Sequence, residues 1–178
     1  MIEPKYNTAI LFGGNGFIGS NFAAYLLDNN IAKKVIISDL GTITPDLWPK
    51  SLQRRFAAGE IDYVKIDVRK PFHAQEESNK LPTQVDLIVN LAAVHKEPGH
   101  VAEEYFKTNL PGAENVCNWA SIVDCKSILF TSSIATYGGG ENTKDEDSLT
   151  MPNTPYGVSK LTAEKIHIAW QQAKSGRK

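Results

Sequence analysis

The sequence has little of what marks secreted or nucleic-acid-binding proteins. It contains only 2 cysteines in 178 residues, Cys117 and Cys125, which are too few for a disulfide framework. We expect both to be reduced and mostly buried. The 19 basic and 20 acidic residues leave a net charge of −1. Without an excess of positive charge, the chain has no broad basic field to attract nucleic acid.

Long apolar runs are also missing. No stretch approaches the ~20 consecutive apolar residues of a membrane-spanning helix. Residues 1–5 lack the basic flank and the apolar segment of a signal peptide. We therefore expect a cytoplasmic protein with neither a membrane nor a nucleic-acid partner. At 178 residues, the chain is predicted to form one domain, 1–178, rather than two.

What the sequence does have is a glycine-rich turn between an apolar run and a helical pattern. Residues 8–12 lead into Gly13, Gly16 and Gly19. Gly13 allows a tight turn, Gly16 lets a pyrophosphate approach the backbone, and Gly19 lets the helix pack closely on its strand. The free N–H groups at the helix N-terminus would bind the pyrophosphate. The spacing is GxxGxxG rather than the more familiar GxGxxG, and a sterically tight βα connection is the alternative interpretation.

An acidic residue favours the dinucleotide interpretation. Asp39 ends the next β-type run, 35–39, and lies 20 residues beyond Gly19. A carboxylate at this position is placed to accept hydrogen bonds from the adenosine ribose hydroxyls. The alternative is that Asp39 only caps the segment that begins at Leu40. Three glycines followed by a correctly spaced acid make the ribose role the stronger hypothesis.

Strand and helix patterns alternate along the rest of the chain. We predict strands at 8–12, 35–39, 62–68, 87–91 and 127–133, helices at 20–30, 50–57, 101–123 and 156–173, a short exposed helix at 73–80, and loops at 94–100 and 134–155. Pro111 is expected to kink or restart its helix at 109–112. In the first helix, Ile18, Phe22, Tyr25 and Leu26 form an apolar stripe that is predicted to lie on the sheet.

This alternation predicts an α/β fold of the Rossmann type, a doubly wound parallel sheet in three layers, α/β/α. Right-handed crossovers then give the strand order 3-2-1-4-5. Ligands in such sheets bind at the carboxyl ends of the strands, at the switch between strands 1 and 4. The residues predicted to fall on that rim are Gly13, Asp39, Asp67, Ala92, Ala93 and Ser133. Asp67 and Val68 would lie near an adenine ring, or Asp67 is only a solvated acid at a strand end.

Tyr156 and Lys160 carry the predicted chemistry. Four residues apart on a helix, they share one face, one turn apart. Tyrosine is a poor base at neutral pH, but a lysine charge and a cationic nicotinamide favour the phenolate. Tyr156 then takes a proton from a substrate hydroxyl while hydride leaves the adjacent carbon, and Lys160 holds the nicotinamide ribose. Such pairs also occur by chance on solvated helix faces, and Ser132 and Ser133 at the preceding strand end can simply form a turn.

Taken together, these motifs resemble those of the NAD-dependent epimerase/dehydratase family, nucleotide-sugar enzymes within the extended short-chain dehydrogenases/reductases. The residues that carry the resemblance are 13–19, Asp39, Asp67 and Val68, 90–93, Asn109, 131–133 leading to Tyr137 and Gly138, and Tyr156 with Lys160. The resemblance implies Ser133, Tyr156, Lys160 and Asn109 as catalytic residues, with Asn109 supporting the lysine through water. It implies His95, Ser132 and Ser133 as substrate contacts. The predicted cofactor-binding residues are Gly13, Asn15, Gly16, Phe17, Ile18, Gly19, Asp39, Asp67, Val68, Leu91, Ala92, Ala93, Tyr156 and Lys160.

The resemblance also implies a cofactor and a reaction. NAD is expected rather than NADP, because the carboxylate of Asp39 would repel a 2′-phosphate and no arginine follows it; no metal site is predicted. The family theme is transient oxidation of a sugar carbon by bound NAD, followed by return of the hydride. Residues 133–135 are Ser-Ile-Ala where dehydratases carry Thr-Asp-Glu, which favours an epimerase or a simple oxidoreductase over a dehydratase.

Family members usually continue into further strands and a smaller lobe that grips the nucleotide sugar, whereas this sequence stops at Lys178. We therefore expect an N-terminal fragment without the C-terminal substrate-binding lobe, able to bind NAD but with little turnover. The open edge of its fifth strand is expected to be covered in a homo-oligomer or by a partner chain. Two other hypotheses stay open, a non-catalytic dinucleotide-binding module and an NAD(P)H-dependent reductase of a small carbonyl substrate.

Overall fold

A computed structural model describes residues 3–96, 98–140 and 143–178. Within these ranges, strands and helices alternate. The strands are β1 (Tyr6–Phe12), β2 (Ala32–Asp39), β3 (Asp62–Lys65), β4 (Leu87–Asn90) and β5 (Ile128–Phe130). The α-helices are α1 (Phe17–Asp28), α2 (Lys50–Ala57), α3 (Ala102–Ile122) and α4 (Pro155–Gln172). Short 3₁₀ turns occur at Pro45–Leu47, Phe72–Ala74, Glu76–Lys80 and Ile134–Tyr137. The predicted loops 94–100 and 134–155 include positions 97, 141 and 142, which lie outside the described residues.

The sheet has the predicted topology. Its strands are all parallel and lie in the order β3-β2-β1-β4-β5, which confirms the Rossmann-type fold. The register places Phe12 opposite both Ser38 and Asn90, and Asn90 opposite Phe130. The carboxyl ends of β1, β2, β4 and β5 therefore meet at one rim of the sheet, where open α/β sheets bind their ligands.

Apolar side chains cover both faces of the sheet. Along β1, Ile10 and Phe12 pack into one layer, and Ala9 and Leu11 pack into the other, because successive side chains of a strand point to opposite faces. Phe12 meets Trp119 of α3 edge-on, with ring centroids 5.7 Å apart. Both faces of β1 are thus buried, as the continuous apolar run predicts.

The predicted apolar stripe of α1 is correct for two of its four residues. Leu26 is buried and Phe22 packs against the core, whereas Ile18 and Tyr25 are 62% and 53% exposed and Ala23 is buried in their place. The helix must approach the sheet closely where Gly19 meets the glycine turn, so small residues face inward there and bulky ones turn outward. A count of apolar residues at helical spacing misses this steric requirement.

Three predicted boundaries also differ. Helix α3 continues through Pro111, so the expected restart at 109–112 is wrong, and a kink there stays a prediction. Pro111 has no N–H to donate to the carbonyl of Lys107, and Lys107 is exposed. Strand β3 ends before Asp67, because the side chain and the carbonyl of Asp67 accept the N–H groups of Arg69 and Lys70 in a turn. The predicted helix at 73–80 forms 3₁₀ turns instead.

Strand β5 ends the sheet. On the side away from β4, the N–H of Ile128 donates to the carbonyl of Lys178 at 3.0 Å, and the N–H of Lys178 donates to the carbonyl of Lys126 at 2.7 Å. Leu129 is 40% exposed. That a partner chain covers this edge stays a prediction. None of the helices in the described ranges has the length and hydropathy needed to cross a bilayer.

Candidate active site

A cleft of about 630 Å³ opens at the carboxyl ends of β1, β2 and β4. It lies at the switch point where the chain order of the strands reverses, the position predicted from the strand order. Most of the predicted site residues line it. They are Gly13, Gly16, Phe17, Ile18, Gly19, Asp39, Asp67, Val68, Leu91, Ala92, Ala93, His95, Ser132, Tyr156 and Lys160.

The three glycines of the turn are required for different reasons. Gly13 has φ +78°, and a Cβ there would lie 2.8 Å from the backbone N of Ala92. A Cβ on Gly19 would lie 2.5 Å from the carbonyl oxygen of Gly13, whereas one on Gly16 would meet only that oxygen, at 3.5 Å. The packing of the protein therefore requires glycine at 13 and 19. At Gly16 the internal packing leaves room for a Cβ, so a ligand is the better explanation of this glycine.

The N-terminus of α1 forms part of the same wall. Gly16 is its N-cap residue, and no side chain of the described residues caps it. The first N–H groups of a helix have no partner within the helix, and they favour an anion. Phe17 and Ile18, both in this first turn, line the cleft. The sequence thus places the first N–H groups of α1 next to Gly16, whose backbone is not covered by a side chain.

Asp39 ends β2 on the cleft wall. Its Oδ2 accepts the N–H of Asn15 at 3.2 Å, and its Oδ1 accepts the N–H of Leu40 at 2.8 Å. No helix begins at Leu40, so the alternative role as a helix cap does not hold. Each carboxylate oxygen accepts one of these bonds, and each has a further lone pair for a ligand hydroxyl.

The side chain of Asn15 turns away from the cleft. Its Nδ2 donates to the carbonyl of Thr42 at 3.0 Å, and its Oδ1 accepts the N–H of Thr44 and the indole N–H of Trp48, both at 3.0 Å. Asn15 was predicted to bind the cofactor. In the structure its side chain ties the glycine turn to the loop after β2, which positions Asp39, and its contact with the cofactor stays a prediction.

Asp67 is paired rather than solvated. Arg69 donates from Nε to Oδ1 and from Nη2 to Oδ2 of Asp67, each at 2.8 Å. These hydrogen bonds hold the pKa of the Asp67 carboxyl below its usual value. Asp67, Val68 and Arg69 all line the cleft, so the guanidinium belongs to its wall. The sequence analysis missed Arg69, although its position two residues after a strand-end acid is a signal for such a fork-shaped pair.

Tyr156 and Lys160 come to the cleft together from the first turns of α4. Thr154 caps this helix by accepting the N–H of Gly157 at 3.1 Å, and Pro155 occupies the first helical position. This start places Tyr156 in the first turn, half-buried, with its ring centroid 5.8 Å from that of Tyr105. Lys160 is only 2% exposed, and burial lowers the pKa of its ammonium to about 8.

The structure does not bring Asn109 into the cleft wall. Its Oδ1 accepts the N–H of Val94 at 2.9 Å, and its Nδ2 donates to the Ser159 hydroxyl at 2.9 Å. Asn109 therefore joins the loop after β4 to the residue that precedes Lys160. That Asn109 also supports the lysine through water stays a prediction.

Two serines at the end of β5 have separate partners. Ser133 accepts the N–H of Ala135 at 3.2 Å and caps the 3₁₀ turn Ile134–Tyr137. Ser133 lies beside the lining residues rather than among them, and a hydroxyl that accepts one bond still carries a proton to donate. Ser132 lines the cleft and donates to Glu164 at 2.9 Å. The remaining lining residues, which the sequence analysis did not assign as site residues, are Leu40, Ile66, Arg69, Val94, Thr108 and Thr131.

Comparison with known proteins gives one family. The family model described as "NAD dependent epimerase/dehydratase family" matches residues 9–178. The low-salt glycan biosynthesis protein Agl12 of Haloferax volcanii is 33% identical over 172 residues, which cover 92% of this chain and 51% of the relative. UDP-glucose 4-epimerase 2 of Oryza sativa subsp. japonica is 30% identical over 169 residues, 89% of this chain and 39% of the relative.

Solved structures agree on the fold. The UDP-glucuronic acid 4-epimerase from Bacillus cereus, solved in complex with NAD, superimposes with a TM-score of 0.74 at 22% identity, over 93% of this chain and 52% of that chain. The family description confirms the predicted cofactor, NAD, at the level of the family. The chain spans about half the length of these proteins.

Proposed function

The chain belongs to the NAD dependent epimerase/dehydratase family, and we propose that it binds NAD in the cleft and serves the epimerisation of a nucleotide sugar. The observation that carries this proposal is the shared cleft of Gly16, Asp39, Tyr156 and Lys160. These residues come from three separate elements, and each supplies a group that NAD-linked sugar chemistry needs. The relative named as a UDP-glucose 4-epimerase supports the substrate class.

The residues present fit NAD. The pyrophosphate would bind beside Gly16, where internal packing leaves space and the N-terminus of α1 favours an anion. The ribose hydroxyls would donate to the carboxylate of Asp39. The adenine would lie along Val68 and the Arg69 guanidinium, and the nicotinamide along Ala92 and Ala93. When bound, NAD accepts a hydride from the sugar and returns it.

Tyr156 is the proposed base. Its phenol oxygen takes the proton of the sugar hydroxyl and gives it back after the hydride returns. Lys160, one helical turn away, adds a buried positive charge to the same cleft. Ser133 donates its hydroxyl proton to the reacting sugar oxygen and so holds it against Tyr156, whereas the proton of Ser132 is donated to Glu164. The side chain of Asn109 fixes the loop after β4 against α4 and keeps this geometry in place.

NAD binding tests the first half of the proposal. Millimolar NAD should raise the melting temperature by roughly 5 to 10 °C, if its concentration is about 100 times the dissociation constant. Gly16→Val should abolish the rise because its side chain fills the pyrophosphate position, yet it should leave the melting temperature without NAD close to that of the wild type. Gly41→Ala, at a glycine with open space around it, is the matched control and should keep the rise. An unchanged melting curve of the wild type with NAD would count against the proposal.

Measurements of enzymatic turnover test the second half of the proposal, the epimerisation of a nucleotide sugar. A non-catalytic dinucleotide-binding module is the alternative to an epimerase. Tyr156→Phe separates the two: an epimerase loses activity in this variant, whereas a binding module loses nothing. A screen of nucleotide sugars and small carbonyl compounds, followed at the nicotinamide absorbance, distinguishes the epimerase from an NAD(P)H-dependent reductase.

A further inference from the structure

Lys160 holds its charge in the protein interior without a carboxylate partner. It is among the most buried polar residues of the chain, and within the described ranges it forms no salt bridge. Glu164 lies one turn further along α4, but its carboxylate accepts the hydroxyl of Ser132. The ammonium lies over the ring of Phe130 instead, with Nζ 4.2 Å from the ring centroid. A desolvated cation over an aromatic face is a stabilising arrangement.

The ring of Phe130 is itself held by a second ring. His167, two turns beyond Lys160 on α4, stacks on Phe130 with centroids 4.2 Å apart and ring planes 16° apart. His167 is buried. The two residues come from β5 and α4, so this stack also fixes the helix that carries Lys160 against the edge strand of the sheet.

Two hydrogen bonds fix the plane and the tautomer of His167. Its Nδ1 lies 2.7 Å from the carbonyl oxygen of Ala163, so Nδ1 must donate. Its Nε2 lies 3.2 Å from Nδ2 of Asn90, so Nε2 accepts from the amide. The imidazole is therefore neutral in this arrangement. Burial and the neighbouring charge of Lys160 both lower the pKa of His167, in agreement with these bonds.

We propose that Phe130, His167 and Asn90 are positioning residues for Lys160. Asn90 fixes His167 as a neutral ring, His167 holds the ring of Phe130, and the face of Phe130 holds the ammonium beside Tyr156. The inference rests on the proposed function, in which Lys160 assists Tyr156. It goes beyond that function because it gives Asn90, His167 and Phe130 a role. Together they keep Lys160 charged without a carboxylate partner.

The charges around His167 explain why its neutral form is favoured. A protonated His167 would place a second cation beside Lys160, and the neutral tautomer avoids this repulsion. Glu164 and Lys178 line the shallow cleft beside His167, and Glu164 is engaged with Ser132. The ring of Phe130 lies directly under the ammonium and favours its charged form.

The titration of Lys160 tests the proposal directly, by NMR of the lysine ammonium groups in the chain without cofactor or substrate. Phe130→Leu should increase the acid dissociation constant of Lys160 roughly threefold to tenfold, since the cation–π contact is lost. Phe130→Tyr, which keeps an aromatic face, should restore the wild-type titration. Leu129→Ala, at the neighbouring and more exposed position of β5, is the control and should leave Lys160 unchanged.

Coupling between the two rings tests the role of His167. His167→Leu should shift the Lys160 titration in the same direction as Phe130→Leu but by less, and it should add nothing in a Phe130→Leu background, because His167 acts through Phe130. His167→Phe, which keeps a stacked ring, should have the smaller effect. In an active preparation, Phe130→Leu should lower kcat and shift its pH profile while the KM for NAD stays constant.

Two results would overturn the proposal. One is a Lys160 titration in Phe130→Leu that matches the wild type, with the variant shown to be folded by its thermal unfolding. The other is an imidazole nitrogen spectrum showing His167 protonated, or protonated at Nε2, at neutral pH. Neither measurement needs NAD or a sugar, so failure of this proposal is distinct from failure of the proposed function.

Discussion

The backbone N–H of Asn15, in the glycine turn, donates to the carboxylate of Asp39 at 3.2 Å. The side chain of Asn15 extends the same connection to Thr42, Thr44 and Trp48. The turn after β1 and the end of β2 are thus joined by the protein itself. In the proposed function, one of these parts holds the pyrophosphate and the other holds the ribose, so this contact sets the distance between two subsites.

Asp39 should determine the choice between NAD and NADP. Asp39→Ser should lower the affinity for NAD by roughly tenfold, the size expected for losing a charged acceptor of a ribose hydroxyl. The affinity for NADP should rise, because the carboxylate no longer repels the 2′-phosphate. Titration calorimetry with both dinucleotides measures this. Asp39→Asn keeps an oxygen that accepts the Asn15 N–H and serves as the structural control. If both variants prefer NAD over NADP as strongly as the wild type does, Asp39 does not bind the ribose.

Gly19 should be required for folding rather than for binding. Because a Cβ would lie 2.5 Å from the Gly13 carbonyl oxygen and 2.6 Å from Gly14 Cα, Gly19→Ala should lower the free energy of unfolding by roughly 1 to 3 kcal/mol, the usual range for overpacking. Urea unfolding without NAD measures the change. Gly41→Ala, with no atom within 4 Å of its Cβ, should change the stability by less than about 0.5 kcal/mol. Equal stability of the two variants would contradict the close approach of α1 to the turn.

Lys160 should make the stability depend on pH. Burial lowers its pKa from 10.5 to about 8, so the buried ammonium costs stability below about pH 8. Between about pH 8 and pH 10 the unfolded chain binds more protons than the folded one, and this cost is relieved as the pH rises. Lys160→Met should therefore be more stable than the wild type at about pH 7, by on the order of 2 to 3 kcal/mol. The difference should shrink towards about pH 10.

The control for this titration is Lys165→Met, at an exposed lysine of the same helix. Its stability relative to the wild type should stay nearly constant over the same pH range. Urea unfolding at several pH values compares the three proteins. A Lys160→Met advantage that is independent of pH would show that packing, and not the charge, decides the effect.

Asn109 should stabilise the joint between the loop after β4 and α4. Asn109→Ala leaves the backbone of Val94 and the hydroxyl of Ser159 without their buried partner, which should cost roughly 2 to 4 kcal/mol. The affinity for NAD should fall as well, since Val94 and Lys160 line the cleft on either side of this joint. Asn118→Ala, at an exposed asparagine of the same helix, is the control. A stable Asn109→Ala with weakened NAD binding would instead indicate that Asn109 acts on the ligand.

Much of the fold was predictable because its determinants are local. The apolar run of β1, the glycines at 13 and 19 and the acid at 39 are each features of a few neighbouring residues. The handedness of βαβ crossovers then leaves one strand order, and that order places the cleft. The roles of the lining residues towards NAD follow from the resemblance and stay predictions.

Two helices differ from the predictions for local reasons. Helix α1 turns Ile18 and Tyr25 outward where Gly19 packs against the glycine turn, and α3 continues through Pro111 at an exposed part of the helix. The side-chain amides of Asn15 and Asn109 bind partners on other elements, 27 and 50 positions away. Spacing along one element contains no record of such distant partners.

By itself, then, the sequence determined the order of the strands, the position of the cleft and the presence of a tyrosine and a lysine on one helix face. Only the tertiary structure decided how that lysine is held. Asn90 and His167 are 77 positions apart, and Phe130 comes from a third element. The sheet register and the packing of α4 bring Asn90, Phe130 and His167 together. Close contacts in a folded core depend on which elements are neighbours and on how their residues are aligned with one another.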